Sequence, residues 1–233
     1  MKREPRNHKS RKHLQKRRRR RKLIRLCLIL IFIFLMIAAA ILGFFGVRYL
    51  YRTYFNKADI VLDAGHGGKD PGANVGVVFE KDITLSIALM TQEILENAGY
   101  KVAMTRNDDI FVELTERSEI ANCKNSYAFV SIHCNSSEDG VGKGIETYYT
   151  DQKGESSKYL AAEIQNSVIE HTNAENRELR TANYTVLVRS NMPTALIEVG
   201  FLTDSEEIEL LQTEAYQKKV AEGIANGIIN YLQ

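Results

Sequence analysis

A chain of 233 residues has room for one globular domain of ordinary size and an appendage. Its formal net charge of +2 conceals two opposed segments: residues 1–25 hold 14 Lys/Arg and one acid, leaving 17 of the 31 basic and 28 of the 29 acidic residues to the rest. The three cysteines include no Cys-x-x-Cys pair, which argues against a thiolate zinc site, and their spacing identifies no disulfide.

Leu26 to Val47 runs for 22 residues without a charge, long enough for a helix to cross a bilayer. Lys and Arg crowd its N-terminal side, and only Arg48, Arg52 and Lys57 follow closely, so the arm is expected in the cytoplasm and the remainder outside. Ala38-Ala39-Ala40 would suit cleavage of a signal peptide, but the apolar run continues past them, which favours an uncleaved anchor. Beside a span, the basic arm reads as a topology signal with attraction for anionic lipid rather than as a nucleic-acid patch. The expected organisation is a basic cytoplasmic arm (1–25), a transmembrane anchor (26–47), a connector (48–58) and one extracytoplasmic domain (59–233). Tyr49, Tyr51 and Tyr54 in the connector would mark the membrane interface.

The domain opens on Ile60-Val61-Leu62, a short buried-strand signal, which runs into Asp63-Ala64-Gly65-His66-Gly67-Gly68-Lys69-Asp70-Pro71-Gly72. So many glycines mean that the backbone passes close to something or takes unusual dihedrals. His66 is delivered at the end of that strand, where α/β sheets bind ligands; a surface turn or a Gly-rich phosphate cradle is the alternative. From Glu80, the apolar positions Ile83, Ile87, Met90 and Ile94 predict a helix ending near Gly99. Lys101–Thr105 reads as a strand, Leu114–Asn122 as a short helix, Tyr127–His133 as a buried strand and Gly144–Tyr149 as another. Leu160, Ile164 and Val168 mark a helix, Tyr184–Val188 and Ala195–Val199 two further strands, and Val220, Ile224 and Ile228 a closing helix. Cys123 and Cys134 are both expected in buried elements. This alternation predicts an α/β fold around a largely parallel sheet.

Residues 59–233 contain three histidines. His66 and His133 end predicted strands, whereas His171 sits near a helix terminus and reads as a surface side chain complementing the dipole. Catalytic zinc commonly takes three His or carboxylate ligands and keeps a fourth position open. Glu80, opening the helix after the Gly-rich loop, is a candidate third ligand, or else a first-turn acid facing the helix dipole. Glu198 interrupts the apolar run Ala195-Leu196-Ile197-Glu198-Val199, where a carboxylate is costly unless it is paired or metal-linked. Near a metal it would serve as general base and then acid; an ion pair with an arginine is the alternative.

Asp63-Ala64-Gly65-His66-Gly67-Gly68, Glu80, Thr105-Arg106-Asn107-Asp108, Leu114 with Arg117, Ser131-Ile132-His133-Cys134-Asn135, and Ile197-Glu198-Val199-Gly200-Phe201-Leu202 stand in a characteristic order and spacing. In them the chain resembles the zinc-dependent N-acetylmuramoyl-L-alanine amidases over residues 59–232, and with its anchor it is similar to their spore-cortex type members. The resemblance implies a mostly parallel six-stranded sheet flanked by helices, Zn2+ held by His66, Glu80 and His133, and Glu198 as the catalytic carboxylate. It implies peptidoglycan as substrate, cut between N-acetylmuramic acid and L-alanine, and leaves any activator unnamed. Asn135 would touch substrate or cap a turn. Asp63 would orient His66 or serve the turn, and Arg106 and Arg117 would form ion pairs within the fold. Arg177 and Arg180 match basic family positions, while Glu178 stands where glycine is typical. Cys134 replaces a small residue. Little chain separates Gly144-Ile145-Glu146 from the helix at Leu160, so the long occluding helix of some members is expected to be missing and the cleft open. The rival readings are an inactive wall-binding scaffold of the same fold and a zinc peptidase acting on stem-peptide bonds.

Overall fold

The computed structural model describes residues 7–50 and 57–233, in two units divided after Phe55. The first is one helix, α1 (Asn7–Leu50). Its stretch Arg17–Val47 is long and apolar enough to cross a membrane, as a span or a signal sequence does. Leu, Ile and Phe side chains are exposed all round it, the pattern of a helix meant for an apolar surrounding. The expected interfacial role of Tyr49, Tyr51 and Tyr54 concerns side chains outside those described.

In the second unit, strands β1 (Ile60–Ala64), β4 (Val102–Met104), β5 (Ala128–Asn135), β6 (Ile145–Tyr149), β7 (Asn176–Thr181) and β8 (Thr194–Phe201) form one sheet in the order β4-β1-β5-β8-β6-β7. Every ladder is parallel except β6 against β8. β1 is buried along its whole length, as is most of β5 and β8, which is why these strands read as continuous apolar runs. The loop after β1 carries the two-residue strands β2 (Asn74–Val75) and β3 (Val78–Phe79), paired as a small hairpin.

Helices α2 (Glu80–Asn97), α4 (Glu155–Thr172) and α7 (Glu214–Leu232) cover one face. They bury Ile83, Ile87, Leu160, Ile164, Val220 and Ile224 against β1, β5 and β8. A smaller core of Val61, Ala121, Phe129, Val186, Leu187 and Leu196 lies on the other face, under α3 (Leu114–Lys124) and α5 (Thr185–Arg189).

Three elements depart from the sequence reading. The expected strand Tyr184–Val188 is the helical turn α5, closed by the Leu187 and Val188 amides donating to Tyr184 O at 3.0 Å. Its adjacent residues Val186 and Leu187 are both buried; a strand would have turned one of them away, so packing overrides the β preference of these residues. Conversely, β7 has the sequence Asn-Arg-Glu-Leu-Arg-Thr and gave no apolar signal, because it is the polar outermost strand. A short helix, α6 (Ser205–Leu211), also went unpredicted although Asp204 caps it, accepting from the Glu206 and Glu207 amides. Cys134 is buried as expected, but Cys123 is exposed near the end of α3, and neither is in a disulfide.

Candidate metal centre and active site

The backbone leaving β1 is bent so that the His66 side chain turns back over the sheet: His66 has a φ of 59°, left-handed and unfavourable for a residue with a Cβ. Two buried arginines hold that bend. Arg106 donates to the carbonyls of Ala64 (2.9 Å) and Gly65 (2.8 Å), and Arg117 to those of Ala64 (2.7 Å) and His66 (2.7 Å). Arg117 also pairs with Asp63 at 2.8 Å, as expected, whereas Arg106 works through carbonyls and the Thr84 hydroxyl rather than an ion pair.

Asp63 is fully buried and accepts from Thr105, Ser131 and Arg117. Burial alone would raise its pKa, but the Arg117 guanidinium and the two hydroxyls hold it below the ordinary value. It ties β1 to its neighbours and does not orient His66, contrary to one of its two sequence-based roles. That task falls to Asp70, whose Oδ2 lies 2.8 Å from His66 Nδ1. Asp70 was legible as an acid four residues past the histidine in the Gly-rich loop, a spacing to which no role had been attached.

Glu80, the first residue of α2, points back under the loop. Its Oε2 lies 3.1 Å from His66 Nε2 and its Oε1 2.9 Å from His133 Nδ1. The Ala73 and Cys134 amides donate to the same two oxygens at 2.8 and 3.0 Å. Burial opposes ionisation of Glu80, yet the two imidazoles outweigh it and hold the carboxyl well below its usual range. The approach depends on missing side chains: a Cβ at Gly65 would collide with the His133 ring, and one at Gly72 with Glu80 and His66.

One nitrogen from each imidazole and one Glu80 oxygen lie within 4.8 Å of one another. Two neutral imidazoles and a carboxylate are a donor set suited to a divalent cation. Their side chains are already gathered, and an ion would take the place of the ring protons that now face Glu80 from His66 Nε2 and His133 Nδ1.

Glu198 is the cross-strand neighbour of His133, on β8 next to β5. Its Oε2 is buried and has no hydrogen-bond partner among the described residues. Such a vacancy is expensive in a closed core and is expected of a group facing a reaction site. Burial is the main reason its pKa rises to about 7, with the Glu80 and Glu146 charges adding to the rise and His133 opposing it. A cleft of about 430 Å³ opens over His66, His133 and Glu198, flanked by Leu114, Tyr184 and Val186. Between β6 and α4 there is only the short 3-10 turn Asp151–Lys153, so no occluding helix occupies that connection.

Asn135 lies just past a register shift in the β5–β8 ladder. Its Nδ2 donates to Glu146 Oε1 at 2.9 Å and its Oδ1 accepts from the Ser136 amide at 2.8 Å. It is held by the fold at the edge of the site. His171 lies elsewhere, between the Ser167 carbonyl and Asn226.

A doubly covered, mostly parallel sheet at which two histidines and two carboxylates gather, one of them with an unpartnered oxygen, is the arrangement of a metal-dependent hydrolase of α/β architecture. The chain belongs to the N-acetylmuramoyl-L-alanine amidase family, whose model matches residues 60–230. It is 37% identical over 171 residues to the sporulation-specific N-acetylmuramoyl-L-alanine amidase of Bacillus subtilis, covering 72% of this chain and 66% of that protein. It is 31% identical over 219 residues to the germination-specific enzyme of the same organism, covering 82% and 92%. The crystal structure of an N-acetylmuramoyl-L-alanine amidase from Clostridium difficile 630 matches with a TM-score of 0.73 at 36% identity, over 76% of this chain and 97% of that one.

Proposed function

We propose that this amidase hydrolyses the bond between the lactyl group of N-acetylmuramic acid and the L-alanine of the peptidoglycan stem peptide, with Zn2+ held by His66, Glu80 and His133. The observation that carries the assignment of roles is the buried, unpartnered Glu198 oxygen beside the His-Glu-His set. When bound, zinc supplies a Lewis acid for the amide carbonyl and brings the attacking water towards a pKa of about 7.

Glu198 accepts the proton of that water and returns it to the departing nitrogen. Burial favours the protonated Glu198 carboxyl while the charge of a bound ion would favour the ionised one, which suits a group that takes a proton and returns it. Asp70, at His66 Nδ1, keeps the ring oriented with Nε2 towards the ligand position. Glu80 is held by two backbone amides, so its carboxylate needs no reorganisation. The basic arm and the apolar stretch of α1 support a single-pass anchor with the N-terminus in the cytoplasm and the catalytic unit outside the membrane.

The test is mass spectrometry of digested peptidoglycan, comparing the protein with Glu198→Gln, with and without a chelator. Free N-terminal L-alanine on intact stem peptides is expected. The variant should retain its metal while losing roughly 10²- to 10⁴-fold in turnover. Cuts within the stem peptide would make the chain a peptidase, failure to cut with metal bound would make it a scaffold, and a fully active variant would remove Glu198 from the chemistry.

A further inference from the structure

β7 presents two arginines on one side of the sheet that a regular strand would send to opposite sides. Arg177 and Arg180 are three residues apart, and strand side chains alternate with a period of two. One extra residue changes the parity: Ile145 pairs with Asn176 and Thr147 with Leu179, so two steps on β6 face three on β7. Within that bulge Glu178 has a φ of 66°, a left-handed conformation that strains a residue carrying a Cβ. Bulges of this kind re-aim side chains, and here the strain is retained without a glycine to relieve it.

Both arginines converge on one oxygen. Arg177 Nε and Arg180 Nε donate to Glu146 Oε2 at 2.9 and 2.7 Å, and Glu146 Oε1 accepts from Asn135 and the Tyr148 hydroxyl at 2.9 and 2.7 Å. The buried glutamate is saturated, yet it neutralises only one of two positive charges. Arg177 also donates to the Lys143 carbonyl and lies over the Phe201 ring. Arg180 makes no bond to a described residue through its two terminal nitrogens, and its side chain is 47% exposed.

This surplus charge lies beside the reaction site. His133, Glu198 and Glu146 stand in one cross-strand row, and Arg180 is paired with Tyr148 on the next strand. At about 4.8 Å per strand, the guanidinium pair is on the order of 10 Å from Glu198. Roughly two residues of extended peptide and a carboxylate arm cover that distance.

The geometry points to Arg177 and Arg180 as a specificity site for the stem peptide: Arg180, braced by Glu146 and Arg177, pairs with the free carboxylate of the second residue, the γ-linked glutamate, when the muramoyl amide lies at Glu198. The inference rests on the amidase reading above. A planar guanidinium with its terminal nitrogens free offers a carboxylate two parallel hydrogen bonds, and an α-carboxamide at that position would forfeit the charge.

The test compares kcat/KM of the full chain, metal-loaded in detergent, on two muramoyl peptides differing only in that group, carboxylate or carboxamide. The carboxylate substrate should be favoured roughly five- to tenfold, chiefly through KM. Arg180→Gln should bring the ratio to within about twofold of unity, and Arg180→Lys, which keeps the charge, should retain part of the preference. Equal use of both substrates by the unaltered protein, or an undiminished preference in Arg180→Gln, would overturn the inference while leaving the amidase reading intact. Cleavage of neither substrate would instead count against that reading.

Discussion

Glu198 illustrates how one residue can cost stability in the place where the proposed chemistry needs it. Burial raises its pKa from 4.5 to about 7, so the folded chain prefers the protonated carboxyl. Its contribution to stability is therefore fully present below about pH 4.5 and is lost as pH rises through 7, a change of roughly 3 kcal/mol. Glu198→Gln removes that dependence. In metal-free protein the variant should gain on the parent by roughly 2–3 kcal/mol between pH 5 and pH 8, read from denaturant midpoints. A difference that does not change with pH would mean that the carboxyl is not strained in the folded chain. The anomaly was visible in sequence because a lone acid among Ala, Leu, Ile and Val has few innocent explanations. Asp70 was not singled out, since an acid in a Gly-rich turn is ordinary until its distance to an imidazole is known.

At the scale of elements, the long helices followed from apolar positions three and four apart, and β1, β5 and β8 from uninterrupted apolar runs. Tyr184–Val188 misled because β-branched residues pack equally well on a one-turn helix that buries neighbouring side chains. β7 was silent because a polar edge strand has no apolar face to announce it. The packing of α4 on α7 was equally hidden. It needs Gly227, where a Cβ would stand 2.5 Å from Ile164 Cα and 2.7 Å from the Glu163 carbonyl. Gly227→Ala should gain about 1 kcal/mol of helix propensity but meets backbone that cannot swing aside. Overpacking of about 1–3 kcal/mol should then outweigh the gain, giving a lower Tm in a thermal melt. A raised Tm would show that the two helices separate freely.

For the molecule as a whole, the site joins parts far apart in the chain: the end of β1, the start of α2 and the end of β5. An ion held by His66, Glu80 and His133 therefore cross-links the sheet to a covering helix and binds only the folded state. At a free concentration one hundred times its Kd, it should add about 2.7 kcal/mol. For a unit of this size that corresponds to a rise of roughly 5–10 °C in Tm on adding zinc to chelator-treated protein. No shift would mean that the three side chains do not bind an ion together.

The amino-acid sequence by itself determined the apolar N-terminal helix and the alternation of strands and helices, and it singled out His66, Glu80, His133 and Glu198, which the fold brings together, because periodicity, charge and ordered motifs are properties of the linear chain. The tertiary structure alone decided that Asp70 rather than Asp63 steadies His66, that Arg106 and Arg117 clamp the loop carbonyls, and that a bulge at Glu178 turns two arginines to one side. Those outcomes depend on distances between residues remote in sequence and on backbone dihedrals at single positions, which are settled only when competing partners are packed into the same space.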